Sequence, residues 1–142
     1  INEESDIPEN DRIQQAMATA PEMIRANGHL VRMLYERAGD FILAMAVAAE
    51  SEPELREVVE AGRRYHREGM QRQAERLSAM GALREGLTVD SAAAILTALA
   101  LPEVVVHLHR GEGWSYDQIE AWLVDSYSRL LLSPEGVGDT DA

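Results

Sequence analysis

From Thr88 the chain enters a segment that is apolar on nearly every side: Ala92, Ala93, Ala94, Ile95, Leu96, Ala98, Leu99, Ala100 and Leu101. Pro102 interrupts it. Val104, Val105, Val106 and Leu108 carry it on until Gly111-Glu112-Gly113-Trp114-Ser115, which reads as a break and a new cap. A second, amphipathic helix then holds Ile119, Trp122, Leu123, Tyr127, Leu130 and Leu131. A helix that is apolar all round must be covered on more than one side. A chain of 142 residues has few other helices to do this, so a second subunit is the simplest cover. The expected self-pairing surface is Leu101, Val105, Leu108, Ile119, Trp122, Leu123, Tyr127 and Leu130, on helices of about 88–109 and 115–132.

That length is one domain's worth. Such a domain buries roughly two-thirds of the surface its unfolded chain exposes, so no disulfide or structural metal is needed to fold it. There is no cysteine, which excludes disulfides, thiolate metal sites and a cysteine nucleophile and fits a cytoplasmic protein. No apolar run approaches the roughly 20 residues of a bilayer span. Residues 1–20 lack the basic start and apolar centre of a signal peptide, so no membrane partner is expected. At a net charge of −12 the chain is repelled by a phosphate backbone unless its positive charge is segregated. The basic cluster Arg63, Arg64, Arg67, Arg72 and Arg76 is interleaved with Glu57, Glu60, Glu68 and Glu75, which reads as a solvated, salt-bridged face.

No segment shows sustained strand alternation, and the fold class is all-α: an antiparallel bundle of about six helices. Residues 1–20 form an acidic segment, with a helix expected over about 9–18. Residues 21–132 form the folded domain, and the polar tail 133–142 is expected to be disordered. Pro21 fits a first helical turn. Met23, Ile24, Leu30, Val31, Leu34 and Tyr35 then space a helix to about Arg37. Gly39-Asp40 predicts a break and cap, followed by a short apolar helix from Phe41 to Ala49. Pro53 opens the longest helix, which reaches about Met80 and ends on Gly81. Thr88 caps the next.

One stripe of that long helix is unusual. Leu55, Val59, Gly62, His66, Gly69, Gln73, Leu77 and Met80 follow one another at three or four residues. The centre of the stripe is Gly, His, Gly, Gln. A helix-interior glycine costs about 1 kcal/mol relative to alanine, and a buried histidine or glutamine needs a partner. A cavity accounts for both, with glycines leaving room and polar groups orienting a ligand. The other reading is close helix approach at Gly62 and Gly69, with His66 and Gln73 near the surface. Tyr65 and Met70 flank the stripe. His29, Met33, Phe41 and Met45 on the preceding helices offer further wall positions, or plain core packing.

The remaining chemistry is sparse. Glu103 and His107 share a helix face at i,i+4, but two ligands do not make a metal site, and His109 points elsewhere. There is no nucleophile elbow and no glycine-rich phosphate loop. No enzyme activity, metal or cofactor is expected.

Four stretches resemble the C-terminal ligand-binding and dimerisation domain of TetR-family transcriptional regulators. They are Leu34-Tyr35-Glu36-Arg37-Ala38-Gly39; Arg67-Glu68-Gly69-Met70 with Gly81-Ala82-Leu83-Arg84-Glu85-Gly86-Leu87; Leu99-Ala100-Leu101-Pro102-Glu103-Val104; and Gly113-Trp114-Ser115-Tyr116 leading to Trp122-Leu123. The resemblance covers roughly residues 21–132. It implies a homodimer built from the last two helices and a small, largely apolar effector held among the others, with Leu96 and Leu99 on its wall. The family's helix-turn-helix domain has no counterpart before Pro21. Operator DNA is therefore expected to be reached only through a domain absent from these residues. The alternative is a helical homodimeric interaction protein with no ligand pocket.

Overall fold

The computed structural model describes residues 19–134. The helix expected over about 9–18 and residues 135–142 of the tail lie outside them. The described chain is all-helical: α1 (Ala20–Ala48), α2 (Pro53–Ala79), α3 (Val89–Leu99), α4 (Pro102–Val106) and α5 (Tyr116–Leu131). A π-helical turn, His107–Gly111, extends α4. Among the described residues there is no strand, only an isolated antiparallel bridge between Leu83 and Leu132. That bridge sutures the α2–α3 loop to the end of α5, with Arg84 N donating to Leu131 O at 2.8 Å and Ser133 N to Ala82 O at 2.9 Å. Ser133 is consequently buried, which corrects its assignment to a loose tail.

Local chemistry sets most helix starts. Thr19 Oγ1 accepts from Glu22 N at 3.3 Å, and Pro21 occupies the first turn of α1. Thr88 Oγ1 accepts from Ser91 N at 3.1 Å. Ser115 and Gln118 cap α5 reciprocally, at 3.1 and 2.8 Å. Each bond satisfies an amide that the first turn leaves without a helical acceptor.

The break expected at Gly39-Asp40 is absent, and α1 runs through it. Two contacts explain this. A side chain at Gly39 would stand 3.6 Å from Val106 Cγ2, so the glycine lets α4 lie close against α1. The Asp40 carboxylate reaches out to Arg110 at 3.3 Å instead of folding back onto backbone amides. Gly28 plays a similar part further down, where a Cβ would sit 2.7 Å from Val124 Cγ2 of α5.

The core is assembled from all five helices. Met23, Ile24, Leu77, Leu96, Val105, Ile119, Leu123, Tyr127 and Leu131 are essentially sealed from solvent. Two tyrosines compensate for the helix break before Pro102. Ala100 N turns back to Thr97 O at 3.2 Å, and Val104 N bonds Leu101 O at 3.0 Å, leaving carbonyls without their usual i+4 donors. Tyr127 OH donates to Leu96 O at 2.7 Å, and Tyr35 OH donates to Ala100 O. Burial raises the pKa of both phenols well above the usual tyrosine value, so both stay protonated donors.

This packing corrects two expectations. Val105, Ile119, Leu123 and Tyr127 are wholly buried in their own chain and have no surface left for a partner. The segment Val89–Gly111, with mean hydropathy 1.8, does have the length and apolarity of a membrane span. It is bent by the non-helical turn before Pro102, however, and Ala92, Ala93, Leu96, Ala100 and Val105 are sealed against other helices. Of its most apolar stretch 33% is buried in the fold.

Candidate functional site

Although only the turn Ala49–Glu52 separates them, α1 and α2 touch each other little. The lower part of α1 packs on α5, and the lower part of α2 on α3. Between them opens a cavity of about 590 Å³, within the roughly 300–1,000 Å³ typical of small-molecule sites. Leu30, Val31, Leu34, Ile42, Met45 and Ala46 line it from α1, Val58 and Val59 from α2, and Leu101-Pro102 from the α3–α4 turn. Its mouth is unusually apolar. Phe41 is 67% exposed, Val58 and Tyr65 each 59%, and Leu34 46%. Exposed apolar side chains gathered around a concavity mark a binding surface more often than a monomer's ordinary exterior.

The polar groups are few. Asn27, 1% exposed, and Gln73, 9% exposed, are both buried, with Met70 beside them. Asn27 Nδ2 donates to Gln73 Oε1 and stands 3.6 Å from Met70 Sδ. His66 lies half-buried on the wall, and burial lowers its pKa, so its imidazole is neutral at pH 7. Among the described residues the charged ones that line the cavity are Arg63 and Arg72, with no carboxylate, although the chain carries −12. Arg63 pairs loosely with Glu103 at 3.8 Å.

The glycines on α2 make this space. A Cβ built at Gly62 meets nothing within 4 Å, and one at Gly69 meets only Arg72 Nη2 at 3.7 Å. Gly62 is therefore not kept for close helix approach. Gly62→Ala is expected to raise stability by about 0.5–1 kcal/mol through helix propensity alone, read from urea unfolding. A loss of stability would mean that the site is already filled.

Of the residues proposed for ligand contact, Phe41, Met45, Gly62, Tyr65, His66, Gly69, Met70 and Gln73 lie on the cavity wall. His29, Met33, Leu96 and Leu99 do not. His29 is exposed and its Nδ1 bonds Glu120 Oε1 at 2.7 Å, across the α1–α5 contact. Met33 is half-buried away from the cavity. Leu96 is sealed in the core, and Leu99 packs against it. Leu101, placed at the dimer surface from sequence, lines the cavity instead. Asn27, Tyr35, Arg63 and Arg72 were missed. Asn27 had a legible signal: it interrupts the buried stripe Met23, Ile24, Val31, Tyr35 at helical spacing, as Gln73 does on α2.

Outside the cavity, Leu108 and Trp122 are only partly buried, and Leu130 is 41% exposed. Trp122 meets Trp114 edge-on with ring centres 6.1 Å apart. Glu103 and His107 do not share a ligand, since His107 Nε2 instead faces Glu112 Oε2 at 3.1 Å. Among the described residues no group of three or more His, Asp or Glu side chains could hold a metal ion.

No protein-family model, curated protein or solved structure matches this chain.

Proposed function

We propose that this chain is a sensor module: an all-α domain that binds a small, largely apolar molecule between α1 and α2 and pairs with a second copy of itself. The observation that carries this is the cavity, which is roomy, apolar and, among the described residues, free of carboxylates, with open space above Gly62. The concavity is open at its mouth, and apolar side chains left exposed around an apolar hollow of this size are the mark of a binding surface. The resemblance to TetR-family sensor domains agrees with this reading and supplies its consequence. In a regulator carrying a helix-turn-helix domain, a ligand that binds one arrangement of the dimer better shifts the population towards it. The spacing of the DNA-reading helices then changes. A cytoplasmic location and the absence of enzymatic activity belong to the same proposal.

Homodimerisation is proposed through the partly covered surface of α3 and α5. Ala94 and Ala98 are exposed on α3, and Trp122 and Leu130 stay accessible on α5. These residues, with Leu108, replace the larger set read from sequence.

Titration with the neutral apolar fluorophore N-phenyl-1-naphthylamine tests the cavity. Saturable binding at one site per chain, with a blue-shifted emission and a raised melting temperature, is expected. Absence of binding favours a plain interaction protein without a ligand site.

The neutral imidazole gives this binding a pH dependence. His66 has a folded pKa below its unfolded value, so at low pH the unfolded chain takes up a proton more readily. Its contribution to stability is therefore fully present above about pH 6.5 and is lost as pH falls through the lowered folded value. An apolar ligand that covers His66 lowers the pKa further, so affinity is expected to weaken over the same range. Melting temperatures should fall more steeply in the wild type than in His66→Gln as pH drops from about 7.5 to about 5.5. Parallel curves would contradict a buried neutral role.

A further inference from the structure

Two buried amides of the cavity wall are not used up by the protein. Asn27 and Gln73 are joined by one hydrogen bond. That bond occupies one amide donor and one amide acceptor. Among the described residues, Asn27 Oδ1 and Gln73 Nε2 have no hydrogen-bond partner. Neither atom is fully enclosed, since the enclosed and unpartnered nitrogen among the described residues is Arg76 Nη1. Both residues line the cavity, so their open atoms face its space. Reversing both amides leaves the count unchanged: one carbonyl acceptor and one N–H donor remain open on two hydrogen-bonded amides. A buried polar pair of this kind discriminates strongly, because a ligand that fails to match it leaves both groups unsatisfied.

We infer that the cavity takes uncharged molecules with an apolar body and one amide-like end, an adjacent C=O and N–H, that pairs with Gln73 and Asn27. This rests on the ligand-site reading above and narrows it. The ligand carbonyl accepts from Gln73 Nε2, and the ligand N–H donates to Asn27 Oδ1. The apolar body lies along Val31, Ile42, Met45 and Val59 towards the mouth. An ionised head is poorly matched by the amide pair, which is itself neutral, and a buried ion without a charged partner is strongly disfavoured; of the two arginines on the wall, Arg72 has an interaction of its own. Arg63 sits at the exposed mouth, its side chain 59% exposed beside Glu103.

The test compares octanamide, N,N-dimethyloctanamide, octanoate and octylammonium in competition with N-phenyl-1-naphthylamine on the full chain. Octanamide is expected to displace the fluorophore at least about tenfold more tightly than the other three, a difference of about 1.4 kcal/mol. In Asn27→Leu/Gln73→Met, which removes the whole pair rather than orphaning half of it, the fluorophore still binds and the preference falls below about twofold. If that variant does not fold, Gln73→Met alone should show the same loss. Fluorophore binding without a preference for octanamide overturns the inference and leaves the ligand site standing, as does a preference that survives the substitutions. Failure of the fluorophore itself to bind overturns the ligand site and the inference together.

Discussion

Leu123→Ala is expected to lower the free energy of unfolding by about 2–5 kcal/mol, the range for truncating a buried leucine. Leu123 is 0% exposed in the isolated chain, with Ile119 and Tyr127 one turn away on the same buried face of α5. Its removal leaves a void between helices fixed elsewhere. Gly28 holds α1 close to Val124, and the Tyr127 hydroxyl ties α5 to Leu96 O. Limited relaxation places the cost towards the upper half of the range. Leu130→Ala, on the exposed side of the same helix, should change monomer stability by no more than about 0.5 kcal/mol. Urea unfolding of both variants at low protein concentration makes the comparison. Equal losses would mean that α5 is rotated from the arrangement described.

Trp122→Glu should separate association from folding. Trp122 is partly buried and meets Trp114 edge-on. Substitution therefore costs some monomer stability, about 0.5–1.5 kcal/mol from the aromatic pair alone. The larger effect is on the proposed dimer. A carboxylate at the centre of an apolar interface, repeated by symmetry in both copies, is a buried charge without a partner. The dimer dissociation constant is expected to rise at least about a hundredfold, equivalent to about 2.7 kcal/mol. Sedimentation velocity should show a dimer for the wild type and a folded monomer for the variant. An unchanged dimer, or a wild type that is monomeric throughout, would contradict the assigned surface.

Much of the fold was legible because the signals are local. Thr88, Ser115 and Pro53 open helices where their chemistry predicts, since capping and proline effects depend on only a few neighbours. Gly39-Asp40 misled because glycine and aspartate serve tertiary ends there: Gly39 admits Val106, and Asp40 pairs with Arg110. The α2 stripe was legible for a similar reason, as Gly62, His66, Gly69 and Gln73 are an uneconomical set for a packed face. On α1 the periodicity defines faces but not their neighbours. The close contact at Gly28 turns His29 towards Glu120, while Asn27, Leu30 and Leu34 face the cavity. The same ambiguity misplaced Val105, Ile119, Leu123 and Tyr127. An apolar stripe demands cover, but its period does not say whether the cover belongs to the same chain.

The cavity between α1 and α2 is the centre of this account, and Gly62 is the position that tests it. With nothing within 4 Å of its missing Cβ, this lining position admits a side chain without a clash at Cβ, and a large one is expected to occupy the cavity. N-phenyl-1-naphthylamine should therefore bind the wild type saturably and Gly62→Trp at least about a hundredfold more weakly, with the helical circular-dichroism signal and melting temperature of the variant preserved. Equal binding by the two proteins, or none by the wild type, would contradict it.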